Sequence, residues 1–291
     1  MRMAHPSRRR SSGWRLLALG AAACACLAPA AAQSVGDLLV APTRIVIEGR
    51  RRTAEVTLVN VGRTAATYRI SLAHQRMTET GSFEPIETPQ PGEQFADNLV
   101  RFSPRQVTLE PRVAQTVRVQ LRKPAELAAG EYRSHLLFRA IPLPAPATPP
   151  DEEQAPPGGI SIKLTPVYGV SIPLIVRHGE TSATVSLTEP EVVPGANAGD
   201  PTALKLRMNR SGNRSTYGDL VATFRAQGGA ERTVSTMIGV AVYTPNPSRV
   251  IRLPLRLPGG VKLEHGVLHL AYRAKPEDGR ALLAEAELAL P

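Results

Sequence analysis

Residues 158–179 read GGISIKLTPVYGVSIPLIVRHG, and their pattern indicates the fold expected of the whole chain. Apolar side chains take the even positions Ile160, Ile162 and Leu164, and polar side chains separate them. Such alternation predicts a β-strand with one buried face. The even series continues at Tyr168 and leads into an all-apolar run, so the segment predicts one long strand whose apolar face needs a cover.

Short alternating segments fill the chain from residue 37 onward, and no stretch has the periodicity of an amphipathic helix. LLVAPTRIVIEG (38–49) and NLVRFSPRQVTLEP (98–111) are each interpreted as one strand. A second block of six or seven such segments follows Gly179. Regular short strands separated by turn residues are typical of antiparallel sandwiches. We therefore predict an all-β protein with two sandwich domains, at about 37–177 and 180–291.

A proline-rich segment, LPAPATPPDEEQAPPGG, leads into the long strand at residues 143–159. It has six prolines and three acidic residues, and it has no bulky apolar side chain after its first leucine. This composition predicts an extended loop rather than a folded element.

The first 32 residues have the three parts of a secretory signal peptide. Five arginines and no acidic residue precede an alanine-rich apolar run. The Ala30–Ala32 triplet before Gln33 then offers a cleavage site. The apolar run is too short for a membrane span. We expect cleavage near Ala32, export to the periplasm and no stable membrane insertion.

Removal of this segment changes the composition of the chain. Both cysteines are lost, so the mature chain is predicted to have no disulfide, and its core must supply its stability. The formal net charge falls from +10 to +5. The remaining basic residues are spread over alternating strands and are not clustered with aromatic residues, which argues against nucleic-acid binding.

No catalytic constellation is found, so an enzyme, a metal site and a cofactor are not expected. The nearest approach to a metal motif is the pair His265 and His269, whose spacing would suit a helix. Within a strand pattern the same spacing separates the two residues by about 13 Å. Solvated strand histidines are the better interpretation. The distinctive feature of the sequence is an apolar edge strand that follows a long loop. An exposed strand of this kind promotes aggregation unless another chain covers it, as happens in strand addition.

The chain resembles the periplasmic pilus chaperones, the PapD-like proteins. The resemblance is clearest over 38–178 and is carried by APTRIVIEG (41–49), GEYRSHLLFRAIP (130–142) and GVSIPLIVRHG (169–179). It implies two immunoglobulin-like sandwiches in an L-shaped arrangement. It also implies that the last strand of the first domain is lent to a pilus or fimbrial subunit, which then passes to an outer-membrane usher.

The resemblance assigns roles to single residues. Arg44 matches the arginine that binds the C-terminal carboxylate of the subunit; the alternative is a surface strand arginine. Four residues match the side chains that the family inserts into the subunit, namely Ile160, Ile162, Leu164 and Tyr168. The alternative for these four is ordinary core packing. Glu131 and Arg177 match a pair that joins the two domains, with unrelated solvated charges as the alternative.

The sequence departs from the family at one position of the cleft. A lysine that normally provides a second cation aligns here with Pro173, or with Ser171 one step away. The anchor would then use Arg44 with backbone donors, or a base from elsewhere such as Lys163. Pro166 also removes one hydrogen-bond donor from the donor segment.

We therefore expect a periplasmic chaperone that binds pilus or fimbrial subunits without chemistry and without a cofactor. The alternative is an exported adhesive or structural sandwich module with no role in assembly. A secreted enzyme would need a convergent acid–base or metal site, which the sequence does not offer. Whether the chain caps its own donor strand as a dimer stays open.

Overall fold

The computed structural model describes residues 37–142, 167–197, 199–257 and 262–291. These residues form eighteen β-strands, and the described parts contain no α-helix; Asp97–Leu99 and Pro276–Asp278 are single-turn 3-10 segments. The prediction of an all-β fold is confirmed. The predicted signal peptide and proline-rich loop lie outside the described residues.

The first eleven strands build one sandwich, called the first sandwich. One sheet has the strand order β1-β3-β9-β7, the other has the order β2-β11-β10-β4-β8, and β5 and β6 pair as a separate hairpin. The strands are β1 Leu38–Ala41, β2 Ile45–Ile47, β3 Thr53–Asn60, β4 Ala66–Ala73, β5 Gln75–Met77, β6 Phe83–Pro85, β7 Val100–Ser103, β8 Gln106–Leu109, β9 Ala114–Leu121, β10 Gly130–Ile141 and β11 Gly169–His178.

Two segments that the sequence predicted as single strands are each split between the two sheets. Residues 38–49 form β1 in one sheet and β2 in the other, and residues 98–111 form β7 and β8 in the same divided way. Pro42 and Pro104 lie in the two breaks. Proline has no N–H to donate to a ladder, so pairing with one neighbour ends there and the chain crosses to the facing sheet. The prediction of continuous strands was wrong at these points.

The second sandwich consists of the remaining seven strands, which pair as β12-β13-β16 and β15-β14-β17-β18. The strands are β12 Ala183–Val193, β13 Ala203–Gly212, β14 Thr216–Ala226, β15 Arg232–Val242, β16 Ser248–Pro254, β17 Gly266–Ala274 and β18 Leu282–Leu290. No described strand pairs across from one sandwich to the other. The chain therefore has two β-sandwiches, as predicted. The boundaries 37–177 and 180–291 and the L-shaped arrangement stay predictions.

Each sandwich has its own apolar core, built by alternate residues of its strands. In β11 the residues Ile172, Leu174 and Val176 are buried in the first core. Ile175 lies on the opposite face and is fully buried in a third, small cluster with Tyr243 of the second sandwich. The all-apolar run is thus explained, because this part of β11 is covered on both faces. Burial of each such side chain stabilises the fold by about 1.5–3 kcal/mol.

Candidate functional site

A cavity of about 520 Å³ lies between the two sandwiches. Its first-sandwich side includes Arg44, Glu48 and Arg177, and its second-sandwich side includes Arg214 and Tyr217. We call this cavity the cleft. It brings together two of the residues that the sequence singled out, Arg44 and Arg177, with residues of the second sandwich that lie about 170 positions after Arg44 in the chain.

Arg44 lies one residue before β2 and faces the second sandwich. Its guanidinium carbon lies 4.2 Å from the centre of the Tyr217 ring and 5.4 Å from that of Tyr243. Its Nη1 donates a hydrogen bond of 3.1 Å to the Tyr243 hydroxyl. Cation–π contacts hold a guanidinium in place without using its N–H donors. Within the described residues Arg44 makes no ion pair, so most of its five N–H groups are available to an anion.

A second guanidinium shares the Tyr243 ring. The Arg133 guanidinium carbon lies 4.8 Å from the ring centre, and the side chain is buried while donating to the Gln75 carbonyl oxygen at 2.9 Å. Burial lowers the pKa of Arg133, and the nearby charge of Arg44 lowers it further. Burial also raises the pKa of Tyr243, so the phenol keeps its proton and accepts from Arg44 through its oxygen.

Glu131 and Arg177, the predicted interdomain pair, lie opposite each other on β10 and β11. The Arg177 Nε donates to Glu131 at 3.0 Å, and its Nη1 donates to Glu48 at 2.9 Å. The Glu131 carboxylate also accepts from the backbone N–H and the hydroxyl of Ser215, in the second sandwich. A fully buried carboxylate is therefore paired and saturated with donors, which is the condition for burying a charge.

The β5–β6 hairpin makes a further connection between the sandwiches. Asn246 donates its Nδ2 to the Met77 carbonyl oxygen at 2.7 Å, and Val250 donates its N–H to the Glu79 carbonyl oxygen at 2.8 Å. Met77 itself is buried in the small cluster with Ile175. Backbone bonds, an apolar cluster and a buried ion pair thus fix the walls of the cleft.

One side of β11 is only partly paired. Antiparallel pairing with β10 extends over the whole strand, from Gly169 to His178. On the other side, parallel pairing with β2 covers only Leu174–Val176. The segment Gly169–Pro173 therefore forms a sheet edge among the described residues, and Arg44 stands beside its end, just before the first residue of β2.

The predicted donor residues are only partly described. Ile160, Ile162 and Leu164 lie outside the described residues, and so does Lys163. Tyr168 precedes β11, and its side chain is 49% exposed while its carbonyl oxygen accepts from the Ala140 N–H. At the positions that align with the missing lysine, Ser171 bonds to Gln75 and Pro173 is half-buried within β11.

Sequence reasoning missed the residues of the second sandwich that contact Arg44 and Glu131, namely Ser215, Tyr217 and Tyr243. No local pattern marks them, because their role depends on how a distant domain packs. Among the described residues, no group of three histidine, cysteine or acidic side chains is placed to hold a metal ion. In the same part of the chain, no helix is long and apolar enough to cross a membrane.

Comparison with known proteins finds chaperones among solved structures. The Pseudomonas aeruginosa CupB2 chaperone is 10% identical, with 87% of this chain and 100% of that chain covered and a TM-score of 0.41. The periplasmic chaperone SfaE is 10% identical, with 86% and 98% covered and a TM-score of 0.40. The SafB chaperone of Salmonella enterica, solved with the SafA pilin, gives 14% identity, 89% and 99% coverage and a TM-score of 0.40. No family model matches the chain, and no curated protein matches it.

Proposed function

We propose that this protein is an exported periplasmic chaperone that binds pilus or fimbrial subunits by strand addition at the edge of β11. The proposal includes a signal peptide cleaved near Ala32, delivery of the subunit to an outer-membrane usher, and binding without catalysis or a cofactor. It rests on the residues of the cleft and of the sheet edge described above.

The open edge of β11 is the observation that carries the proposal. From Gly169 to Pro173 the strand is paired on one side only, while its apolar side chains are already packed in the first core. Five residues of edge extend over about 16 Å, and along them the backbone groups that face away from β10 are available, except that Pro173 has no N–H to donate. An incoming strand satisfies these groups by main-chain hydrogen bonds. The edge is therefore a ready site for a strand from another protein.

The position of Arg44 sets the direction of the incoming strand. β2 runs parallel to β11 and begins where the open edge ends, with Ile45 opposite Leu174. If a partner strand is placed in line with β2, its C-terminus lies beside Arg44 only when the strand also runs parallel to β11. Its terminal carboxylate then meets a guanidinium, whose fork geometry suits a carboxylate. The tyrosines that hold Arg44 reduce the cost of ordering it on binding.

The proposed donor side chains precede β11 and have the same even numbering as its core-facing residues. Val170, Ile172 and Leu174 are the even positions that face the first core. We propose that Ile160, Ile162, Leu164 and Tyr168 continue this series and fill pockets of the subunit. Each buried side chain would contribute about 1.5–3 kcal/mol before ordering costs. The exposure of Tyr168 supports its availability to a partner.

Co-expression of the mature chain with subunits from its own gene neighbourhood, followed by pull-down, tests the proposal. We expect a 1:1 complex with the wild type and its loss with the double variant Ile162→Asp/Leu164→Asp. Ile238→Asp is the control, because Ile238 is 72% exposed in the second sandwich. A subunit that binds the double variant as well as the wild type would rule out donation by this strand and favour the adhesive module.

A further inference from the structure

A second cavity, of about 530 Å³, lies at the connection between the two sandwiches. We call it the linker cavity. Its charged lining consists mainly of cations, and Glu48 is the one acidic residue that lines it within the described chain. The cationic residues are Arg52, Lys123, Arg177 and Arg214, and His178 lies beside them.

Lys123 is one of the donors that line the linker cavity. Its half-buried ammonium group donates to the Arg177 carbonyl oxygen at 3.1 Å and lies 3.3 Å from the His178 Nδ1. An ammonium group has no lone pair, so the ring nitrogen accepts this bond and the neutral ring carries its proton on Nε2. The lining therefore holds one unused N–H of Lys123 and the Nε2–H of His178 as donors.

The cations of the linker cavity are not balanced by acids. Arg177 is occupied by Glu131 and Glu48. Within the described residues, no ion pair is formed by Arg52, Lys123 or Arg214. Even when the buried Glu131 is counted, the four cations exceed the two acids by two charges. Burial lowers the pKa of Lys123, and the nearby charge of Arg52 lowers it further. A bound anion would relieve this repulsion.

We propose that the linker cavity is a binding site for a phosphate-type dianion, held by Lys123, Arg52, Arg214 and the Nε2–H of His178. A charge of about −2 matches the unbalanced charge of the lining, and guanidinium and ammonium groups are the usual ligands of phosphate oxygens. The same chemistry is offered by free phosphate and by a phosphate monoester headgroup of a lipid. Because Arg214 belongs to the second sandwich and Lys123 to the first, the anion would bridge the two.

Calorimetric titration of the mature protein with inorganic phosphate, at constant ionic strength in a phosphate-free buffer, tests the site. We expect saturable binding with one site per chain, and a dissociation constant raised about tenfold or more in Arg52→Gln and in Lys123→Met, because each loses a charged hydrogen bond. Arg52 is exposed, so its variant is expected to fold normally. Arg232→Gln is the control, because it removes one exposed charge at the start of β15.

Flotation with phosphatidylcholine vesicles, with and without phosphatidic acid, distinguishes the two sources of phosphate. Binding of inorganic phosphate supports a site for the free ion. Binding only to vesicles with phosphatidic acid, and its loss in Arg52→Gln, supports a headgroup site. If neither probe binds, or if Arg52→Gln and Lys123→Met bind as Arg232→Gln does, the proposal is wrong. This outcome is independent of subunit binding at β11.

Discussion

Glu131 and Arg177 face each other across β10 and β11, and Arg177 Nε lies 3.0 Å from the buried Glu131 carboxylate. The same carboxylate accepts two bonds from Ser215 of the second sandwich. One acidic side chain therefore connects the last two strands of the first sandwich with the second sandwich. This connection sets the position of the wall that Arg44 faces.

Glu131→Gln should lower the free energy of unfolding by about 3 kcal/mol, because it leaves buried donors facing a neutral amide. Urea denaturation of the mature chain measures this loss. Glu55→Gln is the matched control: Glu55 pairs with Arg118 at 3.1 Å, but both side chains are more than half exposed. That variant should cost less than about 1 kcal/mol. Equal losses in the two variants would contradict the role given to Glu131.

Ile175→Ala should also destabilise the protein strongly. Ile175 is fully buried in the small cluster between the sandwiches, and truncation of such a side chain costs about 2–5 kcal/mol. Ile238→Ala, at a position that is 72% exposed, should stay within about 0.5 kcal/mol of the wild type. The same urea titrations measure both. A small effect at Ile175 would show that the cluster contributes little to the interface.

His135 should make stability depend on pH. Its ring is buried, neither nitrogen has a hydrogen-bond partner among the described residues, and burial lowers its pKa to about 3. The nearby charges of Arg133 and then His74 make smaller contributions to this lowering of the pKa. The unfolded chain therefore binds a proton near the ordinary value of 6.5, while the folded chain does not. Stability should fall as pH falls from 6.5 towards 3.

The variant His135→Leu isolates this contribution. The wild type should lose about 1.4 kcal/mol more per pH unit than the variant once the pH is well below 6.5. Unfolding titrations of both proteins at pH values on both sides of 6.5 measure the difference between their free energies of unfolding. The contributions of other titrating groups cancel in this difference, because both proteins contain them. Parallel pH profiles for the two proteins would show that His135 takes up a proton while folded.

Arg44→Ala should weaken subunit binding about tenfold or more, because a charged hydrogen bond to the terminal carboxylate is lost. Arg44→Lys should recover only part of this loss, because an ammonium group cannot form the two parallel bonds of a guanidinium. Affinity measurements on the purified complex test both variants, with exposed Arg118→Ala as the control. If a subunit with an extended C-terminus binds as tightly as the native one, Arg44 does not bind the terminal carboxylate.

The sequence was most informative where structure depends on near neighbours. Alternation predicted the strands of the second sandwich, because each strand has one buried face and one exposed face. It did not show that Pro42 and Pro104 divide two segments between facing sheets, since the choice of sheet depends on distant pairing partners. It also overlooked β6, which is short and exposed and so lacks a buried alternate face.

The candidate site was predictable only in part. Arg44, Glu131 and Arg177 were found through the family resemblance, which is carried by local motifs. The tyrosines around Arg44 were not found, because Tyr243 lies 199 residues away and no spacing rule connects the two. The odd-numbered Ile175 in the apolar run of β11 was a usable signal, since a second buried face implies a second packing partner.

Hydrogen exchange of the backbone amides in the 160–172 segment, measured for the free chain and for its complex with a subunit, tests the central claim most directly. If β11 accepts a strand at its open edge, the amides of Gly169–Ile172 that do not bond to β10 should become protected in the complex, together with amides of the preceding donor segment. A stable complex in which these amides exchange as fast as in the free chain, while protection appears elsewhere, would contradict strand addition at this edge.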